Sequence, residues 1–115
     1  MIIVVWRIKS KNFEPNNFIQ KFGLEPDSIS EDGFNLCILE TKTAQGVIEK
    51  IAKFINRYKF AFKELREMNV ASLIDIGGIV GSEDQFTFSI ILRSQSLEIF
   101  SSYNIDIAIS AYPGS

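Results

Sequence analysis

The segment from Ala44 to Met68 carries apolar side chains at intervals of three and four residues, the repeat of an amphipathic α-helix. Thr43 is its predicted N-cap. A helix of that length extends about 37 Å, which is more than enough to cross a β-sheet. We therefore expect it to bury one face against a sheet. The residues of that face are Val47, Ile48, Ile51, Phe54, Ile55, Tyr58, Phe62 and Leu65.

Alternating patterns typical of β-strands lie on both sides of this helix. The predicted strands are 2–9, 34–41, 70–80, 85–92 and 105–112. Short helices are predicted after Pro15, with Gly23 as a left-handed cap, and after Ser94. Residues 24–33 are predicted to form a loop. Gly77 and Gly78 predict a bulge or a bend, and a tight hairpin is expected between strands 70–80 and 85–92.

The predicted element order is β-α-β-α-β-β-α-β in a chain of 115 residues, which suits one domain. The fold class is α+β: an antiparallel or mixed sheet with helices packed on one face. We expect residues 1–115 to form this domain, with a core between the long helix and the sheet. Its expected members are Trp6, Ile51, Phe54, Tyr58, Phe88 and Ile107.

The two faces of the predicted sheet differ in composition. The first face, expected to receive the helices, carries Ile2, Val4, Trp6, Ile8, Phe34, Leu36, Ile38, Phe86, Phe88, Ile90, Leu92, Ile105, Ile107 and Ile109. The second face carries Ile3, Val5, Cys37, Leu39, Leu73, Ile91, Ala108 and Tyr112, interrupted by Arg7, Asp75, Thr87, Ser89 and Ser110. A sheet face open to water normally alternates to polar residues. We therefore expect a second copy or a partner protein to cover the second face.

The chain has no histidine and a single cysteine, Cys37, which is expected to be a small buried thiol. The most common general base and metal ligand is thus missing, and no cofactor, metal or catalytic residue is predicted. Asp75, inside an apolar strand, is expected to be partly exposed on the second face. Glu31-Asp32 and Glu83-Asp84 are expected to be solvated loop residues, with cation binding or acid–base chemistry as the alternative.

The formal net charge is −2, without the basic surplus usual in nucleic-acid-binding proteins. No apolar run approaches the length of a membrane helix, and a cytoplasmic protein is expected. Charge is unevenly distributed along the chain. Residues 42–67 carry seven basic and three acidic side chains, whereas 24–40 carry five acidic and no basic ones. The acidic segment predicts either a solvated loop or a surface presented to a basic protein.

Three stretches resemble a small bacterial family, domain of unknown function 4279. They are Phe22-Gly-Leu-Glu-Pro after the first short helix, the long amphipathic helix, and Phe86-Thr-Phe-Ser followed by Asn104-Ile-Asp-Ile-Ala-Ile-Ser-Ala-Tyr. The family has no established activity, so the resemblance supplies no catalytic residue. By size and architecture such chains are similar to bacterial immunity proteins encoded beside toxins.

These observations favour a non-catalytic protein-binding domain, in the most specific form an immunity protein that blocks a basic toxin domain. A small-ligand-binding protein or carboxylate-dependent enzyme is the first alternative, and a self-associating structural module, such as a homodimer, is the second. No nucleic acid or membrane is expected as a partner. The candidate partner-binding residues are Glu25, Asp27, Glu31, Asp32, Val5 and Leu39.

Overall fold

A computed structural model of the chain describes residues 1–80 and 89–113, apart from the side chain of Val80. The described residues form a mixed five-stranded sheet with four helices packed on one face, which confirms the predicted α+β class. The elements in chain order are β1 (Ile2–Lys9), α1 (Pro15–Phe22), β2 (Ser28–Ser30), β3 (Gly33–Thr41), α2 (Val47–Arg57), α3 (Lys59–Glu67), β4 (Ser72–Val80), α4 (Ser94–Ser102) and β5 (Ile105–Pro113).

The strands lie in the order β2-β3-β1-β4-β5, and every neighbouring pair is antiparallel except β4 and β5, which are parallel. The predicted strand 85–92 lies largely outside the described residues, and 89–93 has no regular secondary structure. The turn of its predicted hairpin with strand 70–80, including Glu83-Asp84, also lies outside the described residues, and β4 pairs with β1 along one edge and with β5 along the other.

The core is built around the indole of Trp6, which is fully buried on the first face of β1. Its ring stacks on Phe62 with a centroid separation of 4.4 Å and meets Phe34 and Phe54 edge-on at 5.2 and 5.8 Å. Such aromatic contacts add to the stabilisation that burial provides. Of the expected core members, Trp6 and Ile51 are buried, whereas Phe54, Tyr58 and Ile107 are partly buried against the core and Phe88 lies outside the described residues.

The predicted single helix 44–68 is two helices, because the chain breaks at Tyr58, where φ is −108° and ψ is 29°. In a straight helix, eight residues separate Phe54 and Phe62 by about 12 Å along the axis. At this break their ring centroids are 6.3 Å apart, and both rings contact the same indole. The break therefore brings two aromatic side chains to Trp6 where a straight helix would bring one.

The ends of the first two helices show one cap predicted correctly and one predicted wrongly. Helix α1 begins at Pro15 and ends at Phe22, and Gly23, with a φ of 64°, is the predicted left-handed cap. Helix α2 begins after Gly46, so Thr43 is not its N-cap. The Thr43 hydroxyl instead accepts a hydrogen bond from the Gln45 amide at 3.0 Å, in the turn before the helix.

The bulge lies in β3 and not in β4. Gly77 and Gly78 pair in unbroken register with both neighbouring strands, so the predicted bulge at these glycines is wrong. In β3 the register passes from Cys37 opposite Val5 to Leu39 opposite Val4, which leaves one extra residue between them. The bulge reverses the alternation beyond it, because an extra residue shifts every later side chain to the other face.

Candidate protein-binding face

The second face of the sheet, which points away from the four helices, has no described element packed on it. Residues that pair across neighbouring strands have side chains on the same face, so the register identifies the residues of the second face in each strand. Their burial fits this assignment, since residues on the first face of β1 are buried and those on the second face are partly exposed. The second face comprises Ser28, Ser30, Asn35, Cys37, Glu40, Ile3, Val5, Arg7, Lys9, Leu73, Asp75, Gly77, Ile79, Asp106, Ala108, Ser110 and Tyr112.

An ion pair joins the neighbouring strands β1 and β4 on this face. Arg7 Nε donates to Asp75 Oδ2 at 3.1 Å, and the two side chains are 41% and 19% exposed. The expectation for Asp75 is confirmed, because it lies on the face opposite the buried Ile74 and Ile76 and is partly exposed. A pair at this level of exposure contributes little to stability, so its main effect is to hold the guanidinium in place.

A tyrosine covers one end of the second face. A Cβ placed on Gly77 would lie 3.1 Å from Cε2 of Tyr112, so the ring lies directly over the glycine. Glycine leaves room for this ring between two paired strands, which gives Gly77 a packing role. Ile3 and Ser110 are the neighbours of Gly77 in β1 and β5. Tyr112 remains 51% exposed, which presents an aromatic surface at the edge of the face.

A groove of about 700 Å³ crosses the opposite end of the second face. Its lining includes one register row that runs through all five strands, together with neighbouring residues of β1, β2, β3 and β4. Asn35 is held there by a 3.0 Å hydrogen bond from its Nδ2 to the Ser28 hydroxyl. The row consists of Ser28, Asn35, Arg7, Leu73 and Asp106, and the other polar lining residues are Lys9, Ser30, Asp32 and Ser72.

The acidic candidates do not form one loop. The predicted loop 24–33 contains β2, and Glu31 and Asp32 form the two-residue turn between β2 and β3. Lys9 and Lys11 line a cavity together with both of these acids, so the local charge is mixed. Glu25 is exposed before β2.

Asp27 is bound to the edge of β3 through both its backbone and its side chain. Its amide donates to the Asn35 carbonyl at 2.8 Å, and its Oδ2 accepts the Cys37 amide at 2.5 Å. The Asp27 carboxylate therefore accepts the β3 amide that a backbone carbonyl would accept if β2 extended further toward its N-terminus.

The two apolar candidates lie on different faces. Val5 is on the second face as predicted, partly exposed beside Asp75. The placement of Leu39 on this face is wrong, because the β3 bulge sets it opposite the buried Val4, and it packs against the core.

Cys37 is exposed, so the expectation of a buried thiol is wrong. Partial desolvation raises the pKa of the Cys37 thiol, and the charges of Asp27 and Glu40 act in the same direction. A thiol whose pKa is raised is a poor nucleophile near neutral pH.

The described residues contain no group of three or more His, Cys, Asp or Glu side chains that could hold a metal ion. Among the same residues no helix has the length and apolar character to cross a membrane. Comparison with known protein families, with characterised proteins and with solved structures finds no match to this chain. The resemblance to family 4279 therefore stays a prediction.

The groove is the feature that sequence reasoning missed. Ser28, Ser30 and Asn35 are small polar residues near a turn, and nothing in their spacing distinguishes them from solvated loop residues. They join Arg7 only through the pairing of β2 with β3 and of β3 with β1. The one available signal was the Ser-Ile-Ser alternation before Glu31-Asp32, which is compatible with a short hairpin strand.

Proposed function

We propose that this chain is a non-catalytic protein-binding domain and that its binding surface is the second face of the sheet. The observation that carries the proposal is that this face is partly apolar and that no described element packs on it. Ile3, Val5, Leu73 and Ala108 are partly exposed there, beside the half-exposed ring of Tyr112. Exposed apolar side chains gathered on one face of a folded domain favour an interaction site there.

The polar groups on this face suit recognition of a protein. Asp75 accepts a hydrogen bond from Nε of Arg7, which restrains a guanidinium that lines the groove. A guanidinium held in this way binds a carboxylate or a backbone carbonyl with little further loss of side-chain entropy. Leu73, next to Arg7 in the same row, supplies the apolar contact. A partly apolar surface around a fixed polar group matches the composition of protein interfaces.

Lys9 and Lys11 lie beside the acids of the β2–β3 turn, but acidic side chains are more numerous at the rim of the face, which favours a basic partner. Glu25, Asp27 and Glu31 are exposed along the β2 side, and Asp106 is exposed on β5 at the other side. Acidic groups at the rim of an interface steer a basic protein toward it and chiefly raise the association rate. The more specific form of the proposal, an immunity protein that neutralises a basic toxin domain, rests on the resemblance to family 4279 and on this rim.

The experiment compares what the chain retains from a lysate of its native host when the face is intact and when it is charged. Val5→Glu and Leu73→Glu alter the face, and Phe60→Glu is the matched control because Phe60 is 67% exposed on α3, on the helix side. We expect one protein to be retained by the wild type and the Phe60 variant and lost by both face variants. Equal retention by the face variants would refute the proposal.

The captured protein is then purified, and its association rate is measured at low and high salt. A basic partner associates more slowly as salt rises, and Glu25→Lys with Glu31→Lys slows it further. If the captured protein is a toxin, binding abolishes its activity at equimolar ratio. A rate that does not depend on salt would remove the acidic rim from the interface.

A second candidate function, small-ligand binding, is favoured by the groove itself. Its volume of about 700 Å³ falls within the range of ligand sites, and Arg7, Asn35 and Asp106 converge on it. Leu73→Trp would fill the groove and leave the rest of the face unchanged. If the partner protein still binds this variant, the groove is free for a small molecule; if binding is lost, the groove belongs to the protein interface.

A further inference from the structure

The two edges of the sheet are protected to different extents. At the β3 edge, β2 pairs with residues 33–35, Asp27 Oδ2 accepts the next outward amide, that of Cys37, and the bulge disrupts the edge beyond it. A short edge strand, a charged group and a bulge are the devices that prevent sheets from pairing edge to edge. The outer edge of β5 has no partner strand among the described residues.

The hydrogen bonds between β4 and β5 determine which groups of β5 point outward. The Ser72 amide donates to the carbonyl of Asn104 at 3.2 Å. The backbone N–H and C=O groups of every second residue from Asn104 onward therefore point toward β4. The N–H and C=O groups of the residues in between then point away from the sheet. Those outward residues are Ile105, Ile107, Ile109 and Ala111, and Pro113, which lacks an N–H, ends the series of donors.

We propose that two copies of this chain pair antiparallel through the outer edges of β5 and form a continuous ten-stranded sheet. The two-fold axis passes between Ala108 and Ala108 of the partner copy, perpendicular to the sheet. Ile107 then pairs with Ile109 of the second copy, and Ile105 pairs with Ala111. This register engages all four outward residues of each strand, so eight backbone hydrogen bonds form and no outward donor remains unpaired.

The side chains suit this register. Ala108 lies opposite Ala108 of the second copy in a non-hydrogen-bonded pair, where opposing side chains come closest. The alanine side chain is small enough for that approach. Asp106 lies opposite Ser110 of the second copy, a hydroxyl that can donate to the carboxylate, and no like charges face each other. Ile109, 47% exposed in one chain, gains the aliphatic side chain of Ile107 as its neighbour.

Pairing at β5 is independent of the proposed binding function, and it has a consequence for that function. A two-fold axis perpendicular to the sheet keeps both second faces on the same side. Two partner-binding faces would then lie side by side, and the assembly would bind two partner molecules.

Cysteine cross-linking tests the register. In a Cys37→Ser background, we expect Ala108→Cys to form a symmetric disulfide dimer under mild oxidation, because Cα atoms at a non-hydrogen-bonded pair lie about 4.5 Å apart. Ser110→Cys is the matched control, since Ser110 faces Asp106 of the second copy and not itself. Failure of Ala108→Cys to cross-link, or equal cross-linking of both variants, would overturn the proposed register.

Light scattering tests the edge. We expect the wild type to be a dimer at high micromolar concentration and Ala111→Pro to be a monomer, because this proline removes an outward N–H and none directed to β4. Phe60→Lys, charged at an exposed apolar site on α3, should remain a dimer. A monomeric wild type, or an Ala111→Pro variant that is still a dimer, would overturn the proposal. A dimer dissociated by Val5→Glu but not by Ala111→Pro would place the contact on the second face.

Discussion

The indole Nε1–H of Trp6 donates a hydrogen bond to the hydroxyl of Ser72 at 3.1 Å, and neither residue is more than 1% exposed. Ser72 is the only buried polar residue among those described, and it lies in β4 beside the strand that carries the tryptophan. The indole is surrounded by phenylalanine rings and its single donor would otherwise be unpaired. The serine therefore allows the largest side chain of the core to be fully buried.

Ser72→Ala should destabilise the protein through this donor. Removing the acceptor leaves the indole N–H buried without a partner, which costs about 1–3 kcal/mol. Urea unfolding followed by the fluorescence of Trp6, the single tryptophan, measures the loss directly. Ser28→Ala is the control, because the Ser28 hydroxyl is exposed, and its free energy of unfolding should change by less than about 0.5 kcal/mol. Equal losses in the two variants would contradict this role of Ser72.

The helix break at Tyr58 gives Phe54 and Phe62 different energetic weights. Phe62 is fully buried and stacks on Trp6, so Phe62→Ala should cost about 3–5 kcal/mol. Phe54 meets the same indole edge-on but is partly exposed, and Phe54→Ala should cost about half as much. Urea titrations of both variants give the comparison. A larger loss for Phe54 would mean that α2, and not α3, supplies the main cover of the indole.

Much of the fold could be predicted because local patterns report it. The two-residue period of β1 assigns Ile2, Val4 and Trp6 to the buried face, and Pro15 and Gly23 mark the two ends of α1. The break at Tyr58 has no such signal, since neither proline nor glycine is present between Val47 and Glu67. It follows from the packing of two rings on one indole, which is a tertiary effect.

The candidate site was harder to predict because it depends on register. Alternation within β1 alone assigns Val5 and Arg7 to the second face. The same alternation places Leu39 on the wrong face, because the bulge is visible only when β3 is paired with β1. The position of Asp27 at the edge of β3 likewise depends on the β2–β3 hairpin, which brings together residues ten apart in the chain.

Cys37 should react slowly with iodoacetamide at neutral pH. Desolvation, with the charges of Asp27 and Glu40, raises the pKa of its thiol, so the thiolate forms at higher pH than in an unfolded chain. The folded state then holds its proton more tightly, and this contribution to stability is present at neutral pH and is lost as the pH rises through the folded pKa. Alkylation rates measured from pH 7 to 10 on folded and urea-unfolded protein give the two curves. Coinciding curves would contradict the shift.

Replacing the Asp27 carboxylate by a side-chain amide separates the effect of charge from that of hydrogen bonding at Cys37. Asp27→Asn removes the negative charge but keeps an oxygen that can accept the Cys37 amide, so the pKa of the thiol should fall toward its ordinary value. Glu31→Gln, which removes a charge from the adjacent turn, is the matched control and should leave the alkylation curve unchanged. Equal shifts in both variants would assign the effect to the overall charge of the β2 region.

Asp27 and Glu31, alike in sequence as acidic residues of one segment, should differ in their effect on stability. Asp27→Lys removes the carboxylate that accepts the Cys37 amide and should cost about 1 kcal/mol, whereas Glu31→Lys at the exposed turn should change the free energy of unfolding by less than about 0.5 kcal/mol. Urea unfolding measures both losses. Hydrogen exchange adds a local test, because the Cys37 amide should lose protection in Asp27→Lys and keep it in Glu31→Lys. If the Cys37 amide exchanges equally fast in both variants and in the wild type, the carboxylate does not protect the β3 edge.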